Sequence, residues 1–281
     1  WRGEDLPDSI RKGQRLTGMT STQDSFPVVN SIFKFKRHGQ SGLPASSLLP
    51  NIATCIDDLC FVRSMVSNFP EHTSANYFLH SGNGMQGRPS MGSWVSYGLG
   101  SVNENLPGFI VLNGGLIPPG GLDNFNNGYL PATHQGTIVN SGGQPIANIN
   151  RTEPSDQLQR NKLALLKKLD QGIIGRVGNI DKLESAIANY EMAYRMQTAV
   201  PGLLDLSDET AATRELYGFN HSYKQTQIYA RQCLLARRLV ERGVRFIELT
   251  CPKVSGDRWD QHSNLKAGHE NNCRAVDQPV A

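Results

Sequence analysis

At 281 residues the chain is long enough to bury a substantial core, as one large α/β domain or two smaller ones. Hydrophobic residues make up 38% and charged residues 19%, a globular composition that excludes a disordered chain. The net charge of +3 is small and no Lys/Arg run exceeds two residues, so the electrostatic footprint of a nucleic-acid-binding protein is missing.

No apolar stretch approaches the ~18–20 residues that span a bilayer, and no signal peptide is present in this chain. The chain opens on Trp1 and closes on Val280-Ala281 inside an expected helix, so both ends read as cuts. Cys55, Cys60, Cys233, Cys251 and Cys273 are too few and scattered for a disulfide framework and read as buried free thiols.

Residues 1–44 mix Gly, Ser, Thr and Pro with basic clusters such as Lys34-Phe35-Lys36-Arg37, which reads as irregular structure with a solvated charged face. A helix is predicted from Pro50 to Leu59, with Ile52, Ile56 and Leu59 on one face and proline in the first turn. The run Cys60–Val66 reads as a strand. A second helix is predicted over Ser74–Leu79, and a third from about Ser90, whose hydroxyl is placed to cap it.

Residues 113–150 are dominated by Gly, Asn and Pro and carry one formal charge, Asp123. So long a stretch without periodicity reads as a loop insertion, either a lid over a pocket or a flexible surface segment. Leu183, Ile187, Tyr190 and Tyr194 then form a helical stripe, and residues 221–242 form another helix closed by Gly243. Val244–Leu249 reads as a buried strand, and the rhythm of helix, glycine and buried strand is that of a parallel α/β sheet.

The clearest chemical cluster is Asp257-Arg258-Trp259-Asp260-Gln261-His262, with His269 just beyond, following that last strand. Ligand-binding groups in open α/β sheets collect beyond the strand carboxyl ends. A carboxylate with imidazoles suits zinc or manganese, with calcium the harder alternative, and His262 and His269 share a face if that stretch is helical. A hydrogen-bonded loop fits the same residues. In a second cluster, Glu71-His72-Thr73-Ser74, a helix start offers free N–H groups to an oxyanion, and His72, Thr73 and Ser74 supply a base or nucleophile. The plainer reading makes Thr73 or Ser74 a helix cap. Arg88 before the third helix is either an oxyanion clamp or a surface arginine, and His134 either reaches a pocket from the lid or sits in solvent. His38, His80 and His221 carry no functional argument.

The segment Pro50-Asn51-Ile52 to His72-Thr73-Ser74-Ala75-Asn76 and Leu79-His80-Ser81-Gly82 resembles the sulfatase segment around Cys-x-Pro-Ser-Arg-x-x-Leu-x-Thr-Gly. His72 stands where sulfatases carry the residue converted to formylglycine. Asp260-x-His262 with Ala275-Val276-Asp277 is similar to the metal-binding segment of cofactor-independent phosphoglycerate mutases. Phe33-Lys34-Phe35, Gly39-Gln40-Ser41-Gly42, Arg63-Ser64-Met65, Arg88-Pro89-Ser90-Met91-Gly92-Ser93-Trp94 and Leu106-Pro107-Gly108-Phe109 resemble an uncharacterised, exported sulfatase-like family of the alkaline phosphatase superfamily, over nearly the whole chain.

That resemblance implies a three-layer αβα domain spanning 1–281, with a mostly parallel, alkaline phosphatase-like sheet incomplete at both ends, in an exported or periplasmic protein. It implies a metal-dependent hydrolase of sulfate or phosphate esters. By that resemblance Asp260 and His262 match metal-type positions and His72 a family position, as a base, nucleophile or additional ligand; the residue reading adds His269 as a weaker third ligand, Thr73 or Ser74 as secondary nucleophiles, and Arg88 and His134 as substrate contacts. The substrate would be a small anionic ester or a sulfated glycan, with no nucleic acid involved. The family's Gly-Gly-Pro-Ser and Gly-Glu-Phe-Gly-Arg segments do not occur here, which implies a chain inert by itself. The alternatives are a non-catalytic scaffold for an anionic glycan or a partner protein, and a metal-dependent phosphomutase.

Overall fold

The computed structural model describes residues 2–11, 20–140, 145–146, 149–178, 181–254 and 259–281, with residues 177 and 181–183 described by their main chain. In chain order the elements begin with α1 (Asp8–Arg11), β1 (Phe35–His38), β2 (Leu43–Ser46), a 3-10 helix at Ile52–Asp58, α2 (His72–Ser81) and α3 (Met91–Leu99). Next come β3 (Phe109–Asn113), 3-10 turns at Gly121–Phe125 and Ala132–His134, and β4 (Thr137–Asn140). Helices α4 (Asp156–Val177), α5 (Asp181–Leu204), α6 (Ala211–Tyr217) and α7 (Lys224–Glu241) lead to β5 (Phe246–Leu249) and α8 (Leu265–Val280).

Among the described residues β1 and β2 form an antiparallel hairpin, while β3 lies between β4 and β5 and pairs in parallel with both. The protein is therefore mixed α/β, with a small parallel sheet of three strands among those residues. β3 takes the central place because Phe109, Ile110, Val111 and Leu112 are all apolar, as burial on both faces requires. Alternation splits them: Ile110 and Leu112 pack with Val139, Met196, Val200 and Leu239, and Phe109 and Val111 pack with Phe125. Helices α5 and α7 supply the first set. On the second face α3 lies so close that a Cβ on Gly92 would stand 2.7 Å from the Phe109 ring.

Several sequence expectations hold locally. Ser90 caps α3 by accepting from the Ser93 N–H, Gly243 (φ +80°) follows the end of α7, and β5 occupies the last four residues of the predicted Val244–Leu249 strand, though half-buried instead of buried. The basic Lys34–Arg37 stretch is exposed on and beside β1.

Others are corrected. Cys60–Val66 is not a strand, and Phe61, Val62, Met65 and Val66 are exposed. β-propensity makes a strand only where a partner strand pairs with it, and residues 60–66 pair with none among the described residues. The Pro50–Leu59 helix is a tighter 3-10 turn that buries Ala53 and Ile56 and leaves Leu59 exposed. The 113–150 segment is not all loop, since it contains β4 and two 3-10 turns, although Gly142-Gly143 lie outside the described residues. The predicted α5 stripe is displaced toward the C-terminal half of that helix: Tyr190 is exposed, Leu183 lies outside the described side chains, and Met196, Val200 and Leu203 are buried. Tyr194 turns its hydroxyl to Asp156 of α4 (3.1 Å) instead of entering the core. Of the thiols only Cys273 is fully buried, and Cys60 is exposed. Burial and the neighbouring Cys251 push the Cys233 thiol up to about 12. No helix of the described residues is long and apolar enough to cross a membrane.

Candidate metal centre

Helix α2 starts at His72 because Glu71 caps it. Glu71 has extended backbone angles, and its carboxylate accepts the N–H groups of Thr73 (2.7 Å) and Ser74 (2.9 Å). Those bonds, Ser74 foremost, hold the Glu71 carboxyl at about 2. The cap is thus neither Thr73 nor Ser74. The carboxylate also fills the N–H cradle where the sequence reading placed an oxyanion. What the cap does is fix the first residue of the helix, whose imidazole is 63% exposed.

The second component follows β5. The chain passes through Trp259–His262 and enters α8 by way of Asn264, which takes a left-handed conformation (φ +51°). Gln261 lies flat on Gly268 in the first turn of α8, and a Cβ there would overlap its carboxamide. Trp259 stacks on His269 at 6.3 Å between ring centroids. The loop is therefore laid onto α8 from both sides of Asp260. Asp257 and Arg258 lie outside the described residues.

These two pieces, remote in sequence, meet at Asp260. Its Oδ2 lies 2.9 Å from His72 Nε2 and 2.8 Å from His262 Nε2. One potential ligand atom from each residue falls within 4.8 Å of the other two. The hydrogen bond with His262, then the attraction of His262 and His72, holds the Asp260 carboxyl below its ordinary range despite partial burial. Ligand atoms around a tetrahedral ion with ~2.0–2.1 Å bonds stand roughly 3.3 Å apart. The two Asp260 contacts are about half an ångström shorter than that. All three side chains keep a solvent-facing side, at 63%, 42% and 54% exposure.

The structure thus brings Asp260 and His262 together with His72, which the sequence reading also allowed as an additional ligand, and not with His269, its weaker third. His262 precedes α8 and His269 lies within it, so the shared helical face does not form. Thr73 and Ser74 flank His72 along α2. Arg88 is exposed and makes no ion pair among the described residues. His134 is held by Ser96, whose Oγ lies 3.0 Å from Nδ1, and by the edge of Tyr97; burial lowers its pKa. His134 does not belong to the cluster.

Two arrangements escape the sequence reading. His80 Nε2 lies 2.7 Å from Glu248 Oε1 across α2 and β5, and its Nδ1 lies 2.7 Å from the Asn76 carbonyl. Burial alone would depress His80, but the bonds to Glu248 and Asn76 win and its pKa is raised. The available signal was Glu248 itself, an acid inside an otherwise apolar strand. Asp277, placed by resemblance in a metal-binding segment, instead accepts from Asn51 N (3.0 Å), Asn51 Nδ2 (2.7 Å) and Ile52 N (2.9 Å). It ties α8 to the 3-10 helix and is committed to that role.

The profile of the family described as "Protein of unknown function (DUF1501)" matches residues 3–281, and the chain belongs to that family. This corrects the resemblance to the sulfatases, because nothing in the match connects the chain to them. No curated protein and no solved structure matches.

Proposed function

We propose that this member of the DUF1501 family is a metal-dependent hydrolase of phosphate or sulfate esters, with one divalent ion held by His72, Asp260 and His262. The observation that carries the reading is the convergence of two imidazoles and one carboxylate, from separate elements, within 4.8 Å. Two nitrogens and one oxygen favour zinc or manganese over an all-oxygen calcium site. Three protein ligands with an open fourth position are the pattern of catalytic metal sites, whereas structural zinc sites are closed. When bound, the ion would supply Lewis-acid polarisation of the ester and a water acidic enough to attack at neutral pH.

The chain's own residues orient that chemistry. Asp260 gathers both Nε2 atoms within 2.9 Å, and those nitrogens would give up their shared protons to become ligands when the ion binds. The Thr73 and Ser74 hydroxyls, one and two residues after His72, are the nearby nucleophile candidates. Arg88, exposed shortly before α3, is the candidate anion clamp. A larger, three-layer sheet of the alkaline phosphatase type belongs to the same reading. The openness of the cluster also admits a binding scaffold that holds an anionic glycan without turnover.

Hydrolysis of aryl phosphate and aryl sulfate separates the two. The hydrolase reading expects turnover that is lost on chelation, restored by zinc or manganese, and reduced about 10²-fold or more in Asp260→Ala. Metal binding with no turnover of either ester would leave the scaffold.

A further inference from the structure

A cavity of about 610 Å³ opens between α5 and the stretch that runs from the Ala132–His134 turn into β4. That volume lies within the range of pockets that take small molecules. It shares no residue with His72, Asp260 and His262. Its floor is apolar: Ile146 and Met196 are buried, and Met192 is half-buried beside them. Its rim carries Gln135, Asn189 and Arg195, all exposed.

The polar groups at the rim are uncommitted. Among the described residues Arg195 has no acidic partner, because its neighbours on α5 are engaged elsewhere: Glu191 pairs with Lys167 (3.0 Å) and Tyr194 with Asp156 (3.1 Å). The side-chain amides of Gln135 and Asn189 are likewise without hydrogen-bond partners among the described residues. A planar guanidinium with free donors at the mouth of an apolar hollow matches an oxyanion in charge and geometry. Two methionines in the wall adapt to unbranched aliphatic chains, since the thioether side chain is flexible and polarizable.

We propose that this cavity is a binding site for a small amphipathic carboxylate, with its head on Arg195, Asn189 and Gln135 and its aliphatic body on Met192, Met196 and Ile146. The cation supplies selectivity for the charged head and the floor supplies affinity for the tail. The two halves contribute unequally: acetate lacks the tail and falls below detection, whereas a fatty alcohol keeps the floor contacts and binds more weakly for want of the charge.

The test is calorimetric titration of the whole chain with decanoate, decanol and acetate, at fixed pH above the carboxylate range. Decanoate is expected to bind at least tenfold more tightly than decanol, with acetate undetected. Arg195→Gln removes an exposed charge and should weaken decanoate at least tenfold while leaving decanol unchanged; Arg195→Lys should recover part of the loss. Ala188→Trp fills the cavity and should abolish binding of both long-chain probes in a protein whose circular dichroism is unchanged. Decanoate binding that is equal in the wild type and Arg195→Gln, or absent at millimolar concentration, would overturn the assignment. Decyl phosphate binding more tightly than decanoate would overturn the choice of a carboxylate.

Discussion

Asp277 sits 4% exposed in the last turns of α8, yet serves the start of a helix more than 200 positions earlier. Its two oxygens satisfy the N–H groups of Asn51 and Ile52 and the side-chain amide of Asn51. Asp277→Ala strands these donors in a half-buried seam. A hydrogen bond to a charged group is worth about 1.5–3 kcal/mol, and stranded donors add their desolvation. These bonds share one carboxylate and are not additive, so the expected loss is roughly 2–4 kcal/mol. Asp277→Asn distinguishes hydrogen bonding from packing. It preserves shape but replaces one acceptor with an NH₂ that faces donors, so it should cost nearly as much as alanine. Urea denaturation monitored by far-UV circular dichroism measures both. A shift below about 0.5 kcal/mol for either variant, the level of an ordinary surface substitution, would refute the capping role.

His80 makes stability depend on pH. Because its pKa is raised above the ordinary 6.5, the contribution of its pair with Glu248 is full below that value and is lost as pH rises through the folded-state pKa. His134, whose pKa is lowered, acts in the opposite sense, so the measurement is the difference between the wild type and His80→Gln. That difference should shrink as pH rises above 6.5, and a gap independent of pH would contradict the pairing. Gly92→Ala sets a methyl 2.7 Å from the buried Phe109 ring and should cost about 1–3 kcal/mol in the same denaturation assay; a neutral effect would mean that α3 is not seated as described. Gly268→Ala displaces Gln261 and loosens the support of Asp260, so metal affinity should fall roughly tenfold with stability little changed. Unaltered affinity would show that the loop positions itself.

What the sequence made legible was local. A serine before α3, a glycine after α7 and an apolar stretch at β5 each carry their own physical instruction, whereas the four apolar residues of β3 were not read as a strand. Asp260 and His262 were legible as a pair for the same reason: both stand in one short loop beyond a strand. Partnerships across the chain were not legible. Nothing within Glu71–Ser74 indicates that His72 faces Asp260, and the regular spacing of His262 and His269 pointed to a face that Asn264 interrupts. Phe61, Val62, Met65 and Val66 have strand composition, but a strand needs a partner to pair with, and the sequence does not state which segments will pair. Thr73 and Ser74 were plausible caps by residue type, and Glu71 took that role because its longer side chain reaches both N–H groups at once.

The central claim is a metal site made by His72, Asp260 and His262, and its most direct test is equilibrium binding of zinc and manganese to the chelator-washed protein. The account predicts one tightly held ion per chain. Affinity should fall sharply in His72→Ala, Asp260→Ala and His262→Ala, and stay unchanged in His269→Ala. A folded protein that binds neither ion above background, or an Asp260→Ala variant with wild-type affinity, would contradict it.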